Sequence, residues 1–161
     1  MINIRAIEQK DNQVLASVIR SVFDKMGAPT AGTVYVDPTT DQLFEFFQQE
    51  KKAVLYIAEK DGRVVGSCGI YPTKGLPEGY AELVKYYIDM DFQGQGIGGL
   101  LLQKSLEAAK QMGYQQLYLE SLPAFAGAIQ IYLNKGFIKL EAPLGNSGHP
   151  GCTIWMLKTL S

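Results

Sequence analysis

Hydrophobic residues change their period along this chain. Ile2, Ile4 and Ala6 alternate with polar neighbours, as on a short strand with one buried face. From Asp11 the spacing turns helical: Val14, Leu15, Val18, Ile19, Val22, Phe23 and Met26 form one stripe, and Gly27 supplies a left-handed stop. Ala28 to Asp37, with Pro29 and Gly32, reads as a loop, and Thr40 ahead of Asp41, Leu43, Phe44 and Phe47 predicts a capped second helix ending near Glu50. Two β-rich runs follow, Ala53 to Lys60 and Arg63 to Tyr71, joined at Asp61-Gly62, a dipeptide suited to a tight hairpin.

After a Pro/Gly-punctuated loop from Pro72 to Gly79, Ala81 to Ile88 reads as a further strand. Ile97, Leu101, Leu102, Leu106, Ala109 and Met112 then form a helical stripe closed by Gly113. Gln116 to Glu120 predicts a short strand, and Ala128, Ile129, Tyr132 and Leu133 mark a helix stopped by Gly136. Phe137 to Leu140 and Thr153 to Leu157 close the chain as strands. The order is strand, two helices, three strands, helix, strand, helix, two strands. Hairpins beside two strand-to-helix crossovers predict a mixed α/β (α+β) fold with a partly parallel centre, in one domain spanning 1–161.

Composition narrows the function. With 47% hydrophobic and 19% charged residues the chain can bury one core, and a net charge of −1 provides no basic field for nucleic acid. Two cysteines and one histidine are too few for a four-ligand zinc site, so no metal is expected. No apolar run approaches a membrane span and no leader is evident, so the expectation is a cytoplasmic protein without membrane contact, monomer or homodimer. Glycine stands out: 17 among 161 residues, four of them between Gly94 and Gly99.

That cluster, Gln93-Gly94-Gln95-Gly96-Ile97-Gly98-Gly99, lies between a strand and a helix, where unpaired backbone N–H groups and the positive helix end converge on one point. Such a place suits a phosphate, and glycines let its oxygens approach the amides. Gly94, Gly96 and Gly99 also satisfy the dinucleotide pattern G-x-G-x-x-G, and Glu120 lies where a ribose-binding acid belongs. Two observations oppose that reading: five residues, Asp89 to Gln93, separate strand from glycine, and too little chain follows for a doubly wound sheet. A nucleotide-triphosphate loop is absent, since no Gly-Lys-Ser or Gly-Lys-Thr occurs.

Gln93, Gly96 and Gly98 match the Q/R-x-x-G-x-G/A signature of the GCN5-related N-acetyltransferases (GNAT), which this chain resembles. Glu82-Leu83 through Tyr87-Ile88-Asp89 looks like that family's central strand, and Ala128-Ile129-Gln130-Ile131-Tyr132 through Lys135-Gly136-Phe137 looks like its A-I-x-L-Y-x-K-x-G-F motif. The resemblance implies a mostly antiparallel sheet of six to seven strands with a splayed parallel centre, flanked by about four helices. It implies acetyl-coenzyme A as cosubstrate, its pyrophosphate held by the loop from Gln93 to Gly99, including Gln95 and Ile97, and its pantetheine arm by backbone groups of Tyr86, Tyr87 and Ile88. Where the family often has a pantetheine-binding asparagine, this chain has Phe125, which could pack on the arm instead.

The chemistry then needs a free amine, a stabilised oxyanion and a proton for the departing thiolate. An alkyl ammonium, with a pKa of about 10.4, must lose a proton at neutral pH. Glu82 is the first choice of base and Glu120 the second, as in relatives that use an acid on the next strand. The resemblance makes Tyr132 the proton donor to the thiolate, and gives the oxyanion a backbone N–H near Ile88. Cys68 reads as a buried apolar residue, and a Cys152–His149 pair in the glycine-rich loop is a further nucleophile candidate. The expected function is acetyl transfer to a primary amine, a small molecule rather than a protein. The alternatives are a non-catalytic acyl-coenzyme A binding or sensing module and a dinucleotide oxidoreductase. The loops 28–37, 72–79 and 145–151 are expected to wall the acceptor pocket.

Overall fold

The alternating Ile2 and Ile4 belong to an edge strand, β1 (Ile2–Ala6), of a seven-stranded sheet in a computed structural model that describes residues 1–161. The helical stripe becomes α1 (Asn12–Met26), ended by Gly27 at φ 64°. A short α2 (Leu43–Gln48) precedes the hairpin of β2 (Val54–Lys60) and β3 (Arg63–Tyr71), whose turn places Asp61 and Gly62 at positive φ. The chain continues through β4 (Tyr80–Ile88), α3 (Ile97–Gln111), β5 (Gln116–Ser121), α4 (Ala126–Asn134), β6 (Ile138–Leu140) and β7 (Ile154–Thr159).

The strand order is β1-β2-β3-β4-β5-β7-β6, and every neighbouring pair is antiparallel except β4–β5. The sheet separates two cores. One face buries Leu101, Leu102 and Ala109 of α3 and Ile129 of α4 against Val65, Ile70 and Leu117. The other buries Leu15, Ile19 and Phe23 of α1 and Leu43 and Phe47 of α2 against Leu55, Ile57 and Val64. Burial of these side chains is the main stabilising term, at roughly 1.5–3 kcal/mol for each large apolar residue.

Strand β4 departs from regular pairing in two places. Its parallel pairing with β5 covers only Tyr80, Ala81 and Glu82, opposite Gln116, Leu117 and Tyr118, after which the strands part. Its pairing with β3 slips at Lys85: Ser67 faces Tyr87 and Gly69 faces Val84, so one β3 residue, Cys68, opposes both Lys85 and Tyr86. Lys85 takes φ 57° and its carbonyl accepts the Ser67 hydroxyl. This bulge reverses the side-chain alternation, so that Ala81 and Leu83 before it and Tyr86 and Ile88 after it all face the α3 core.

Some expectations are corrected. Thr40 is not the second helix's cap: Asp37 accepts the Thr39 amide at 2.9 Å and starts a 3₁₀ turn over Pro38–Gln42, while the Thr40 hydroxyl donates to the Val34 carbonyl. Val14 and Leu133, each 40% exposed, lie off the buried stripes of α1 and α4. The second crossover is not a parallel neighbour pair, because β7 inserts between β5 and β6.

Candidate active site

The parting of β4 from β5 opens a cavity of about 350 Å3. Its walls are β4 from Glu82 to Ile88, the end of β5 at Glu120 and Ser121, the glycine loop, and the face of α4 carrying Ala128 and Tyr132. From Leu83 onward the β5-facing edge of β4 has no strand partner, so extended backbone lines the opening and can pair with a ligand as a strand would.

At one end lies the glycine loop. The first intrahelical bond of α3 runs from the Leu100 amide to the Gly96 carbonyl at 3.2 Å, and no amide from Gln93 to Gly99 donates to a backbone carbonyl. These donors, at the positive end of a 15-residue helix, form an anion cradle. Gly96 sits at φ 81°, a conformation that side chains strain, and space lies open beside Gly94, Gly96 and Gly99. Gly98 is required by close approach: a Cβ there would stand 2.6 Å from the Tyr86 hydroxyl oxygen, itself buried without a hydrogen-bond partner.

Gln93, Gly94, Gly96, Gly98 and Gly99 all border the cavity, and the Gln93 amide group donates to the Ile88 carbonyl at 3.3 Å, tying the loop to the end of β4. The side chains of Gln95 and Ile97 do not. Gln95 accepts from Lys60 on the outer surface, and Ile97 is buried in the α3 core, so only their backbone faces the loop's task.

At the other end stand the acids. Glu82 is 4% exposed, and its carboxylate accepts the Thr73 hydroxyl at 2.6 Å. Burial, helped by the nearby charge of Glu120, pushes its pKa up to about 7 against the pull of Thr73 and Lys85. A carboxyl poised there exchanges a proton at neutral pH. Glu120 borders the same cavity but is held by two donors, the Tyr118 hydroxyl at 2.7 Å and the Ser147 hydroxyl, which occupy both its oxygens.

Tyr132 is buried on α4 with its ring 5.7 Å from those of Tyr86 and Phe137. Burial raises its pKa well above the ordinary phenol value, so the hydroxyl is protonated around neutral pH, where Glu82 ionises. Phe125 borders the cavity and packs edge-on against Phe23 at 5.1 Å, a position for an apolar contact with a bound chain. Tyr86, Tyr87 and Ile88 all line the opening.

The glycine-rich loop folds back over this end. The Gly151 amide donates to the Gly32 carbonyl at 2.8 Å and the Asn146 amide to the Lys74 carbonyl at 2.7 Å, so the three loops meet. His149 bonds Asp37 through Nε2 at 2.8 Å. Burial and the Lys85 charge lower the histidine's pKa despite Asp37; burial opposes the lowering of Asp37, which the His149 and Thr39 bonds produce. The contact is therefore a neutral imidazole N–H donating to a carboxylate. No bond joins the His149 ring to the Cys152 thiol, and burial pushes that thiol up to about 12, as it does Cys68, so the nucleophile pair is not assembled.

Sequence reasoning missed Lys85 and Asp37. Lys85, 8% exposed, borders both the main cavity and a neighbouring one of about 220 Å3 lined by Asp37, Phe46, Tyr71, Thr73, Ser147 and His149. The available signal was a lysine inside the otherwise apolar run Leu83-Val84-Lys85-Tyr86-Tyr87-Ile88.

A sheet that splays at a glycine-headed helix, with a buried acid and a tyrosine across the opening, is the architecture of an acyl-coenzyme A-dependent transferase scaffold. The acetyltransferase (GNAT) family profile matches residues 21–137, and the chain belongs to this family. It is 33% identical over 158 residues to the uncharacterised N-acetyltransferase YjgM of Escherichia coli K12, covering 98% of this chain and 94% of that protein. Its fold is shared by an acetyltransferase of the GNAT family from Staphylococcus aureus Mu50, with a TM-score of 0.87 at 18% identity over the whole of both chains. It is shared too by the PaiA N-acetyltransferase of Thermoplasma acidophilum, solved in complex with coenzyme A, with a TM-score of 0.73 at 16% identity over 99% of each chain.

Proposed function

We propose that the protein transfers an acetyl group from acetyl-coenzyme A to the primary amine of a small molecule, by direct attack with both substrates bound. The observation that carries this reading is one cleft with an anion cradle at one end and a buried carboxyl of pKa about 7 at the other. The residues fit the cosubstrate: unpartnered amides from Gly94 to Gly99 for the pyrophosphate, the free edge of β4 for the amides of the pantetheine arm, and Phe125 beside it. The bound cosubstrate supplies an acetyl group activated as a thioester.

Glu82 accepts a proton from the incoming ammonium, directly or through water, leaving a nucleophilic amine. Backbone N–H groups of β4 near Ile88 face the negative charge that grows on the carbonyl oxygen. Tyr132 donates its hydroxyl proton toward the leaving sulfur. Glu120, already bonded to Tyr118 and Ser147, positions the 141–153 loop and adds negative charge beside Glu82. A purely binding module would gain nothing from a buried acid poised to titrate near neutrality, which favours catalysis over sensing.

The test is thiol release from acetyl-coenzyme A across a panel of primary amines. Y132F is expected to lower kcat by about 10²-fold, a typical general-acid contribution, with coenzyme A affinity nearly unchanged. Unchanged turnover in Y132F removes the tyrosine from the mechanism, and preferential binding of NAD over acetyl-coenzyme A overturns the reading as a whole.

A further inference from the structure

Lys85 is the charged group of this site that takes no part in the acetyl-transfer steps. It is more than nine-tenths buried on the β4 bulge and borders both cavities, and while its carbonyl accepts the Ser67 hydroxyl, its ammonium forms no hydrogen bond or ion pair. The acids near it are engaged by other donors: Asp37 by His149 and Thr39, Glu82 by Thr73, and Glu120 by Tyr118 and Ser147. Burial works against the Lys85 charge, Asp37 and Glu82 support it only at a distance with no direct bond, and an anion brought in by a ligand relieves that cost.

The bulge is what places it there. Strict alternation along β4 would turn residue 85 toward the α3 core with Leu83, whereas the extra residue opposite Cys68 leaves Lys85 on the wall beside Glu82. The result is a pocket holding both signs of charge: Glu82 to receive an ammonium and Lys85 to receive an anion. Phe46 and Tyr71, stacked at 4.6 Å, give the smaller cavity an apolar wall.

Resting on the acetyl-transfer reading of the same cleft, we propose that Lys85 binds the carboxylate of the acceptor, and that the acceptor is an amine of the amino-acid class, zwitterionic in solution. The amine then lies toward Glu82 and the cleft, the carboxylate on Lys85, and the side chain toward Phe46 and Tyr71.

The experiment compares L-phenylalanine with phenethylamine and L-methionine with 3-(methylthio)propylamine, pairs that differ only in the carboxylate. Each is titrated calorimetrically into the coenzyme A-loaded protein and assayed separately for thiol release from acetyl-coenzyme A. The amino acid of at least one pair is expected to bind about tenfold or more tightly than its amine, with the gain in kcat/KM expressed through KM. K85M should bring that ratio to within about threefold while K85R keeps part of it, and coenzyme A affinity and thermal unfolding report that the variants are folded. Equal binding within both pairs, or a preference that survives in K85M, overturns the carboxylate site. A preference lost in K85M without thiol release from any amine upholds the site and overturns acetyl transfer instead.

Discussion

Glu82 carries two consequences of one cause. Its burial raises the carboxyl to about 7 from an ordinary 4.5, so the neutral form is favoured in the folded state. In the proposed mechanism the ionised form is the base, and kcat/KM is expected to rise with pH through about 7 and then level, a rise that E82Q abolishes with a loss of about 10²-fold or more. In stability the sign is opposite. The folded state holds its proton more tightly than the unfolded chain, so stability present below pH 4.5 is lost progressively as pH rises to about 7. The whole effect is on the order of 3 kcal/mol. E82Q should therefore melt above the wild type at pH 8, with the gap closing toward pH 4.5; an equal gap at both pH values would rule out burial of this carboxyl as the cause. Glu82 and Tyr132, which both border the cleft, could be singled out in the sequence because matched motifs surround them. Lys85 was not, because its meaning depends on a bulge that no local propensity announces.

The element with the sharpest constraint is the junction of the glycine loop with α3. Gly98 meets the Tyr86 hydroxyl, so G98A forces an overpacked contact costing about 1–3 kcal/mol. Differential scanning calorimetry should show G98A melting several degrees lower, at about 2–4 °C per kcal/mol for a chain of this size. Because that hydroxyl is buried without a partner, Y86F alone should leave stability unchanged or raise it, and the G98A/Y86F pair should recover most of the loss. A double variant no better than G98A would show that the clash lies elsewhere. All eleven strands and helices were readable in order, since each has a periodic stripe and most have a glycine or hairpin signal at an end. The Thr40 cap failed for a local reason: Asp37-Pro38 starts a 3₁₀ turn three residues earlier, and a carboxylate accepts an amide more strongly than a hydroxyl does.

At the scale of the molecule, the end of the cleft that the proposal gives to the acceptor is made by loops from distant parts of the chain. The bond from His149 to Asp37 spans 112 residues and pins the 141–153 loop over the smaller cavity. H149A should raise the acceptor KM several-fold while coenzyme A affinity holds, with faster hydrogen exchange at the Gly151 amide, which donates to the Gly32 carbonyl. Slower turnover with an unchanged acceptor KM would argue that the loop does not shape this pocket. No helix is long and apolar enough to cross a membrane. The amino-acid sequence by itself determined the elements, the glycine loop at the head of α3 and the two residues, Glu82 and Tyr132, on which the proposed mechanism rests, because periodicity, glycine spacing and the matched motifs are local properties. Only the tertiary structure decided where the sheet opens, which acids are already bonded, and that Lys85 stands buried without a partner. Those outcomes depend on strand register and on loops meeting across the fold, and neither is written in any one segment.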